Sequence, residues 1–328
     1  MNFNYKILVI RFSSIGDIVL STSVLKTIRN AYPEAEISFL TLEKYAPLLE
    51  QNSNIDRIIL FDQNMNFKNL LEFSDYLKNQ NYTQIYDLHN SLRSNVITFY
   101  NQLPVFKIKK PRWNRLKLFQ FHKNDFSPNF STLKMYHESL VDIWKEGDDI
   151  PNTSLFVSIQ ERIKARNITG VDKYTVLIPG AAWHQKQWPA ENYIDLIKKT
   201  NMNAVLIGSY KDEICQKIYA GVPSVLNLAG KTNIRDSLAI ISESDQVIGS
   251  DTGFTHAAEA LNIPVTMLMG PTSRETGGGV LLDKSVQIEK DIWCRPCSQN
   301  GKRPCYRATQ LCINNIDVND IIQTLRLT

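Results

Sequence analysis

The stretch that decides the fold reads V-I-G-S-D-T-G-F-T-H over residues 247–256. Its apolar start predicts a strand, the small residues after it predict a turn, and the run from Phe254 predicts a helix. Free N–H groups at such a helix start carry partial positive charge, which suits a bound phosphate. The stretch therefore indicates an anion site, although Asp251 or Thr252 could serve only as a helix cap and His256 as an ordinary half-buried histidine.

The same alternation of short apolar strands and helices extends over the chain in two series, the second beginning at residue 175. Strands that alternate with helices predict parallel sheets covered on both faces. With 328 residues, the chain exceeds the size of one ordinary core. We therefore expect two Rossmann-like α/β domains, residues 1–158 and 159–328, with parallel sheets facing a central cleft.

Composition and charge narrow the class of protein. Hydrophobic residues make up 43% of the chain and charged residues 21%, which is typical of a globular protein, and the net charge of +4 gives no argument for nucleic-acid binding. The apolar run at residues 7–10 is interrupted by Arg11, so it is neither a secretory signal nor a membrane span. We expect a cytoplasmic protein without a nucleic-acid partner.

The first strand-to-helix turn reads R-F-S-S-I-G-D over residues 11–17. It lacks the G-x-G-x-x-G pattern, which disfavours hydride transfer with a dinucleotide. Asp17 could act as a general base toward a substrate hydroxyl. Its alternative role is to cap the helix predicted from Ile18.

A third loop reads P-G-A-A-W-H-Q-K-Q-W-P over residues 179–189. Backbone N–H groups that could bind an anion are offered by Gly180, Ala181 and Ala182. The positively charged amine of Lys186 could lie next to a leaving diphosphate and stabilise its negative charge. Each of the three loops follows the carboxyl end of a predicted strand. Open α/β folds bind their ligands beyond the carboxyl ends of the strands.

The segment at residues 105–123 interleaves basic and aromatic side chains, with Lys109, Lys110 and Arg112 at its centre. Such a segment could rest on an anionic lipid surface or hold a phosphorylated acceptor. A solvated basic helix whose apolar side chains pack inward is the alternative.

Four of the five cysteines lie close together in sequence: Cys294, Cys297, Cys305 and Cys312. Four thiolates could form a tetrahedral structural zinc site, an iron site or a cluster. Reduced cysteines without metal, and disulfides, are the alternatives that the pattern leaves open.

These motifs occur together, in order, in a known family. The blocks at residues 11–17, 179–189 and 250–256, with G-P-T at 270–272 and three glycines at 277–279, resemble the bacterial heptosyltransferases of glycosyltransferase family 9. The resemblance implies a GT-B fold and an inverting transfer, without a catalytic metal, of a heptose from ADP-heptose. The implied acceptor is the lipopolysaccharide core or a lipid A-linked sugar, at the inner face of the cytoplasmic membrane.

The resemblance also implies roles for single residues. Asp17 matches the family's general base, and Lys186 matches its phosphate-binding lysine. The residues implied to bind the donor are Gly180, Ala181, Ala182, Lys186, Ser250, Asp251, Thr252, Gly253 and His256. The acid that binds ribose is not clearly aligned, with Asp212 and Glu213 as candidates.

Two other functions are compatible with the sequence. The same fold could use another nucleotide sugar or a protein acceptor, or it could bind a nucleotide sugar without catalysis. The presence of both Asp17 and Lys186 favours an enzyme over a silent binding protein.

Overall fold

The computed structural model describes residues 5–99 and 103–325 and divides the chain into two compact units. The first unit comprises Met1–Lys110 and Thr132–Phe156, and the second comprises Pro111–Ser131 and Val157–Thr328. Each unit contains one sheet, and every strand pairing in the described residues is parallel. The predicted α/β fold with two parallel sheets is thus confirmed.

The elements up to residue 137 follow the predicted alternation, with a 3-10 helix at Glu43–Leu48. In chain order they are β1 (Lys6–Ile10), α1 (Ile15–Ala31), β2 (Glu36–Leu42), β3 (Arg57–Phe61), α2 (Phe67–Lys78), β4 (Gln84–Asp87), α3 (Leu92–Phe99), β5 (Val105–Lys107), α4 (Arg112–Phe121) and α5 (Thr132–His137).

The remaining elements include 3-10 helices at His184–Lys186 and Arg274–Thr276. In chain order they are α6 (Ile159–Thr169), β6 (Thr175–Ile178), α7 (Ala190–Thr200), β7 (Ala204–Leu206), α8 (Glu213–Gly221), β8 (Leu226–Asn227), α9 (Ile234–Ser242), β9 (Gln246–Ser250), α10 (Gly253–Ala260), β10 (Val265–Met269), β11 (Val286–Glu289), α11 (Leu311–Asn314) and α12 (Val318–Ile322).

The sheet of the first unit has the strand order β3-β2-β1-β4-β5. Ile10 at the end of β1 lies in register with Leu40 of β2 and Asp87 of β4. From β1 the chain continues through β2 to β3 at one edge, and from β4 it continues to β5 at the other edge. The strand order therefore reverses between β1 and β4. Ligands of open α/β folds bind at such a reversal, beyond the carboxyl ends of the strands.

The sheet of the second unit has the order β11-β10-β9-β6-β7-β8, and its reversal lies between β6 and β9. Side chains along each strand alternate between two cores. Leu177 and Ile248 enter one hydrophobic cluster with Trp188, whereas Val176 and Val247 enter the other. Burial on both faces explains why these strands read as continuous apolar runs.

Helix α4 belongs to the second unit and packs only part of its apolar surface. Leu118 and Phe119 are buried in a small cluster with Phe126. Trp113 and Phe121 are 74% and 73% exposed. Within residues 5–99 and 103–325, the helices are all too short or too polar to cross a membrane.

Candidate functional site

Asp17 stands at the centre of a polar cluster beyond the carboxyl ends of β1 and β4. Its Oδ1 lies 2.7 Å from Nη2 of Arg11 and accepts a hydrogen bond of 3.1 Å from the hydroxyl of Tyr136. Its Oδ2 accepts hydrogen bonds from the backbone N–H and the hydroxyl of Ser14, at 3.1 and 2.9 Å. Nη1 of Arg11 also donates to the carbonyl of Leu88, at 2.5 Å. The carboxylate is thus held from three directions.

Helix α1 begins at Ile15 with Ser14 as its N-cap, three residues before the predicted start at Ile18. Asp17 therefore occupies the first turn rather than the cap position. Its negative charge suits the positive end of the helix, and its bonds to Ser14 form part of a capping box. Asp17 can cap the helix and contact Arg11 at the same time, because Oδ2 bonds to Ser14 and Oδ1 contacts Arg11.

The electrostatic setting keeps Asp17 ionised. Burial alone would raise its pKa, but Arg11 and the hydrogen bonds from Ser14 lower the pKa of Asp17 to about 2. The side chain keeps 36% of its surface exposed, so a ligand can reach it. An ionised carboxylate can accept a hydrogen bond from a substrate hydroxyl, but it binds a proton only where its interaction with Arg11 weakens.

His89 lies in the same cluster and has no counterpart among the residues selected from the sequence. Its ring centroid is 4.8 Å from that of Phe12, and its Nδ1 is buried without a hydrogen-bond partner in the described part of the chain. Burial, together with the positive charges of Arg11 and Lys110, lowers the pKa of His89 to about 4. His89 is therefore a neutral imidazole at pH 7. The sequence signal that could have identified it is its place directly after the β4 strand.

The residues predicted to face the acceptor or the membrane, Lys109, Lys110 and Arg112, differ in their burial. Nζ of Lys110 donates to the carbonyls of His89 and Asn90, at 2.6 and 3.3 Å, and the side chain is half-buried. Lys109 and Arg112 are exposed. Lys110 thus adds positive charge to the Asp17 cluster, whereas Lys109 and Arg112 face solvent.

In the second unit, Lys186 and Asp251 form a largely buried ion pair. Nζ of Lys186 lies 2.7 Å from Oδ2 of Asp251, and the side chains are 13% and 17% exposed. Oδ1 of Asp251 lies 3.2 Å from Nε2 of His256. Lys186 follows β6 and Asp251 follows β9, so the pair lies at the reversal of the second sheet.

The charges around Asp251 fix its ionisation. Burial alone would raise its pKa, but Lys186 and the hydrogen bond with His256 hold the pKa of Asp251 well below its usual range. Asp251 is therefore an anion, and its contact with Nζ holds the amine of Lys186 in place.

Helix α10 opens directly after this pair, as the stretch at residues 247–256 predicted. Thr252 is its N-cap, and Thr255 Oγ1 accepts a hydrogen bond of 3.0 Å from the Thr252 N–H. The Thr252 hydroxyl and His256 Nδ1 are buried without a partner in residues 5–99 and 103–325. Buried polar groups normally find partners, so these two groups, beside the Lys186–Asp251 pair, are candidates to bind a polar ligand or water. Ser250 joins the site through its hydroxyl, which donates to the Lys186 carbonyl.

Gly180 has a steric reason to be glycine. A Cβ at this position would lie 2.3 Å from Cγ of Asp212, whose carboxylate accepts a hydrogen bond of 2.6 Å from the Ser209 N–H. Asp212 also lies against Gly208, at the end of β7. Of the two acids considered for the ribose, Asp212 thus lies beside the predicted donor loop, and Ala181 and Ala182 continue that loop.

The predicted zinc site at the cysteines lacks support. All four thiols line a cavity of about 20 Å³, which has room for about one water molecule. In the described ranges, however, no three Cys, His, Asp or Glu side chains are placed to hold a metal ion. Hydrogen bonds with Tyr306 and Arg307 lower the pKa of Cys294, although burial alone would raise it. The thiol thus interacts with neighbouring side chains, which the C-x-x-C spacing could not show.

Comparisons with known proteins agree with this arrangement. Residues 70–306 match the family model of glycosyltransferase family 9 (heptosyltransferase). The lipooligosaccharide heptosyltransferase 2 of Haemophilus influenzae is 28% identical, over 81% of this chain and 84% of that protein. The lipopolysaccharide heptosyltransferase 2 of Escherichia coli is 27% identical, over 82% and 83%.

A solved structure described as Escherichia coli ADP-heptose lipopolysaccharide heptosyltransferase II has a TM-score of 0.75 at 22% identity. The match covers 97% of each chain, so the fold is the GT-B fold of that enzyme. The family match covers well over half of the chain. This protein therefore belongs to glycosyltransferase family 9 and is a glycosyltransferase.

Proposed function

We propose that this enzyme transfers a heptose from ADP-heptose to the inner core of lipopolysaccharide, with inversion at the transferred carbon. The observation that carries the proposal is the Lys186–Asp251 ion pair at the start of α10, in a chain whose relatives are named heptosyltransferases. A lysine amine and the free N–H groups of a helix start are the groups that bind a diphosphate.

The donor site would act on the leaving group. The diphosphate of the donor would compete with Asp251 for the amine of Lys186, while Asp251 would keep its contact with His256. As the sugar–phosphate bond breaks, the electron pair leaves with ADP, and Lys186 with the start of α10 would stabilise the added negative charge. Groups already oriented in the folded protein need no reorganisation at that moment.

Asp17 would act on the acceptor. Its ionised carboxylate would accept a hydrogen bond from the acceptor hydroxyl and take its proton as the oxygen attacks the anomeric carbon. Because Arg11 holds the pKa of Asp17 at about 2, the ion pair has to weaken when the proton arrives. The Tyr136 hydroxyl, which donates to Oδ1, would help to keep the carboxylate oriented.

Helix α4 would place the enzyme at the inner face of the cytoplasmic membrane. Its exposed Trp113 follows the exposed Arg112 at the start of the helix, Phe121 is exposed at the other end, and the ring of His122 lies 6.0 Å from that of the exposed Trp293. Exposed aromatic rings with nearby positive charge suit an anionic lipid surface. Because Lys110 is half-buried, Lys109 and Arg112 are the exposed cations among the three residues selected, and the side chains of Lys117 and Lys123 add further exposed positive charge.

The test is transfer by the purified protein. We would incubate it with ADP-heptose and a series of core acceptors, and follow ADP release and the acceptor mass by mass spectrometry. Release that requires an acceptor, with a gain of one heptose, supports the proposal. Transfer from a different nucleotide sugar, transfer to a protein only, or nucleotide binding without turnover would contradict it.

A further inference from the structure

A turn in the cysteine-rich segment, residues 298–303, lies against the stem of Lys186. Gly301 in this turn is buried and has φ of +83°. A Cβ at Gly301 would lie 2.6 Å from Cγ and 2.9 Å from Cδ of Lys186, and 3.4 Å from Cβ of Trp183. The aliphatic stem of the lysine thus occupies the space that any other side chain at 301 would need.

Hydrogen bonds within the turn and to Pro271 fix its backbone. The buried Ser298 hydroxyl accepts hydrogen bonds from the N–H groups of Gly301 and Arg303, at 3.0 and 3.4 Å. The N–H groups of Cys297 and Ser298 both donate to the carbonyl of Pro271, at 3.1 and 3.2 Å. A change at Gly301 therefore pushes on the lysine rather than on a loose loop.

Further contacts tie the same segment to the donor loop. The side-chain amide of Gln310 donates to the carbonyl of Gln185, the residue before Lys186. Nζ of Lys302 lies 5.6 Å from the ring centroid of Trp183. From the other direction, the Ser250 hydroxyl donates to the carbonyl of Lys186. The backbone and the stem of Lys186 are thus held by different elements, while its amine meets Asp251.

We propose that Gly301 and its turn position Lys186 for the donor diphosphate. The cysteine-rich segment then forms a wall of the donor site. Gly301 is a positioning residue, because it acts through the lysine stem and contributes no group of its own to the ligand. The inference rests on the proposed function through one assignment, that of Lys186 to the diphosphate.

The first test compares Gly301→Ala with Gly170→Ala. Gly170 also has a positive φ, +66°, and lies in the second unit, but a Cβ there would meet nothing within 4 Å. Both variants carry the backbone penalty of alanine in this conformation, and only Gly301→Ala displaces Lys186. We expect the Kd for ADP, measured by calorimetry, to rise about tenfold in Gly301→Ala and to stay unchanged in Gly170→Ala.

The second test asks whether the effect passes through Lys186. In a Lys186→Met background the amine is absent but the stem remains, so Gly301→Ala should cause no further loss of ADP affinity. In steady-state assays, Gly301→Ala should raise the donor KM and leave the acceptor KM unchanged. An equal loss in both backgrounds, or a normal Kd in Gly301→Ala, would overturn the inference.

Ser298→Ala provides a variant that adds no atoms and does not depend on tolerance of alanine at 301. It removes the acceptor for two N–H groups and loosens the turn, so the donor KM should rise about threefold. An unchanged donor KM would overturn the inference. If Lys186→Met itself binds ADP normally, the assignment of Lys186 to the diphosphate fails, whereas a loss in Lys186→Met without one in Gly301→Ala refutes only the positioning role.

Discussion

Arg11 and Asp17 form an ion pair of 2.7 Å, and the same guanidinium donates to the carbonyl of Leu88, the residue before His89. Arg11 is only 7% exposed, so its charge depends on these partners. The hydrogen bond to Leu88 joins the end of β1 to the end of β4 within the first unit. Any proton uptake by Asp17 therefore changes the partner of a buried cation.

Replacement of Arg11 by Gln should move the acidic limb of the pH–activity profile to higher pH. Without the cation, the pKa of Asp17 rises from about 2 toward its ordinary value, and protonation removes the base at a higher pH. We expect a shift of about one to two pH units in kcat/KM for the acceptor, with circular dichroism confirming the fold at each pH.

Tyr136→Phe is the matched control for this experiment, since it removes one hydrogen bond from Asp17 and leaves Arg11 in place. Its shift should be smaller. An acidic limb that stays in place in Arg11→Gln would show that Asp17 does not set it.

Removal of Lys186 should weaken both the fold and ADP binding. Lys186→Ala leaves the Asp251 charge, which is 17% exposed, without its ion-pair partner, so the loss of stability should be smaller than that on breaking a fully buried pair, which costs about 3–5 kcal/mol. Denaturant unfolding and calorimetric ADP titration would measure the two effects.

The double variant Lys186→Ala/Asp251→Asn separates these effects. Neutralising Asp251 removes the unpaired charge, so part of the stability should return while ADP affinity stays low. If ADP affinity returned together with stability, the contribution of Lys186 to the site would be structural only.

His89 should make stability depend on pH in the mildly acidic range. Its pKa is about 4 in the folded protein, below the ordinary value of 6.5, so between these values the unfolded chain binds a proton that the folded chain does not. The free energy of unfolding should therefore fall as pH decreases from 6.5 toward 4. Chemical denaturation of the His89→Gln variant should show a shallower slope.

The buried His137, whose pKa is also lowered by burial, should supply part of the slope that remains in His89→Gln, and carboxylates with lowered pKa, such as Glu161, should supply the rest. The exposed His184 offers a control position, and His184→Gln should leave the wild-type slope intact. A slope of wild-type steepness in His89→Gln would contradict the burial of a neutral imidazole at this position.

Helix α4 should bind anionic vesicles through aromatic and basic side chains together. Trp113→Ala with Phe121→Ala should reduce co-sedimentation, and Arg112→Glu with Lys109→Glu, just before the helix, should weaken binding and lower its dependence on salt. Leu92, which is 87% exposed in the first unit, gives a matched apolar control. Equal loss of binding in Leu92→Ala would argue against a specific role for α4.

The sequence predicted both sheets and the loops after β1, β6 and β9, because apolar runs followed by small residues are local signals. The sequence at residues 136–145 also looks helical, but the helix of this region lies at Thr132–His137. There the Ser139 hydroxyl donates to the Tyr136 carbonyl at 2.6 Å, and such local hydrogen bonds compete with helical ones.

The partners of the site residues were harder to predict. The hydrogen bond from Tyr136 to Asp17 spans 119 residues, and the contact from Arg11 to Leu88 spans 77. No local pattern encodes such distances, since tertiary packing creates them. For the same reason, the side chains around Cys294 could not be read from the C-x-x-C spacing, and the contact of Gly301 with Lys186 gave no sequence signal.

The central claim is that Asp17 removes the acceptor proton while a separate set of residues binds the donor. Asp17→Asn tests it most directly, with the ADP Kd and the rate of heptose transfer measured on the same preparation. We predict an unchanged ADP Kd and a transfer rate reduced by about three orders of magnitude or more. A variant that transfers heptose at the normal rate would contradict the account.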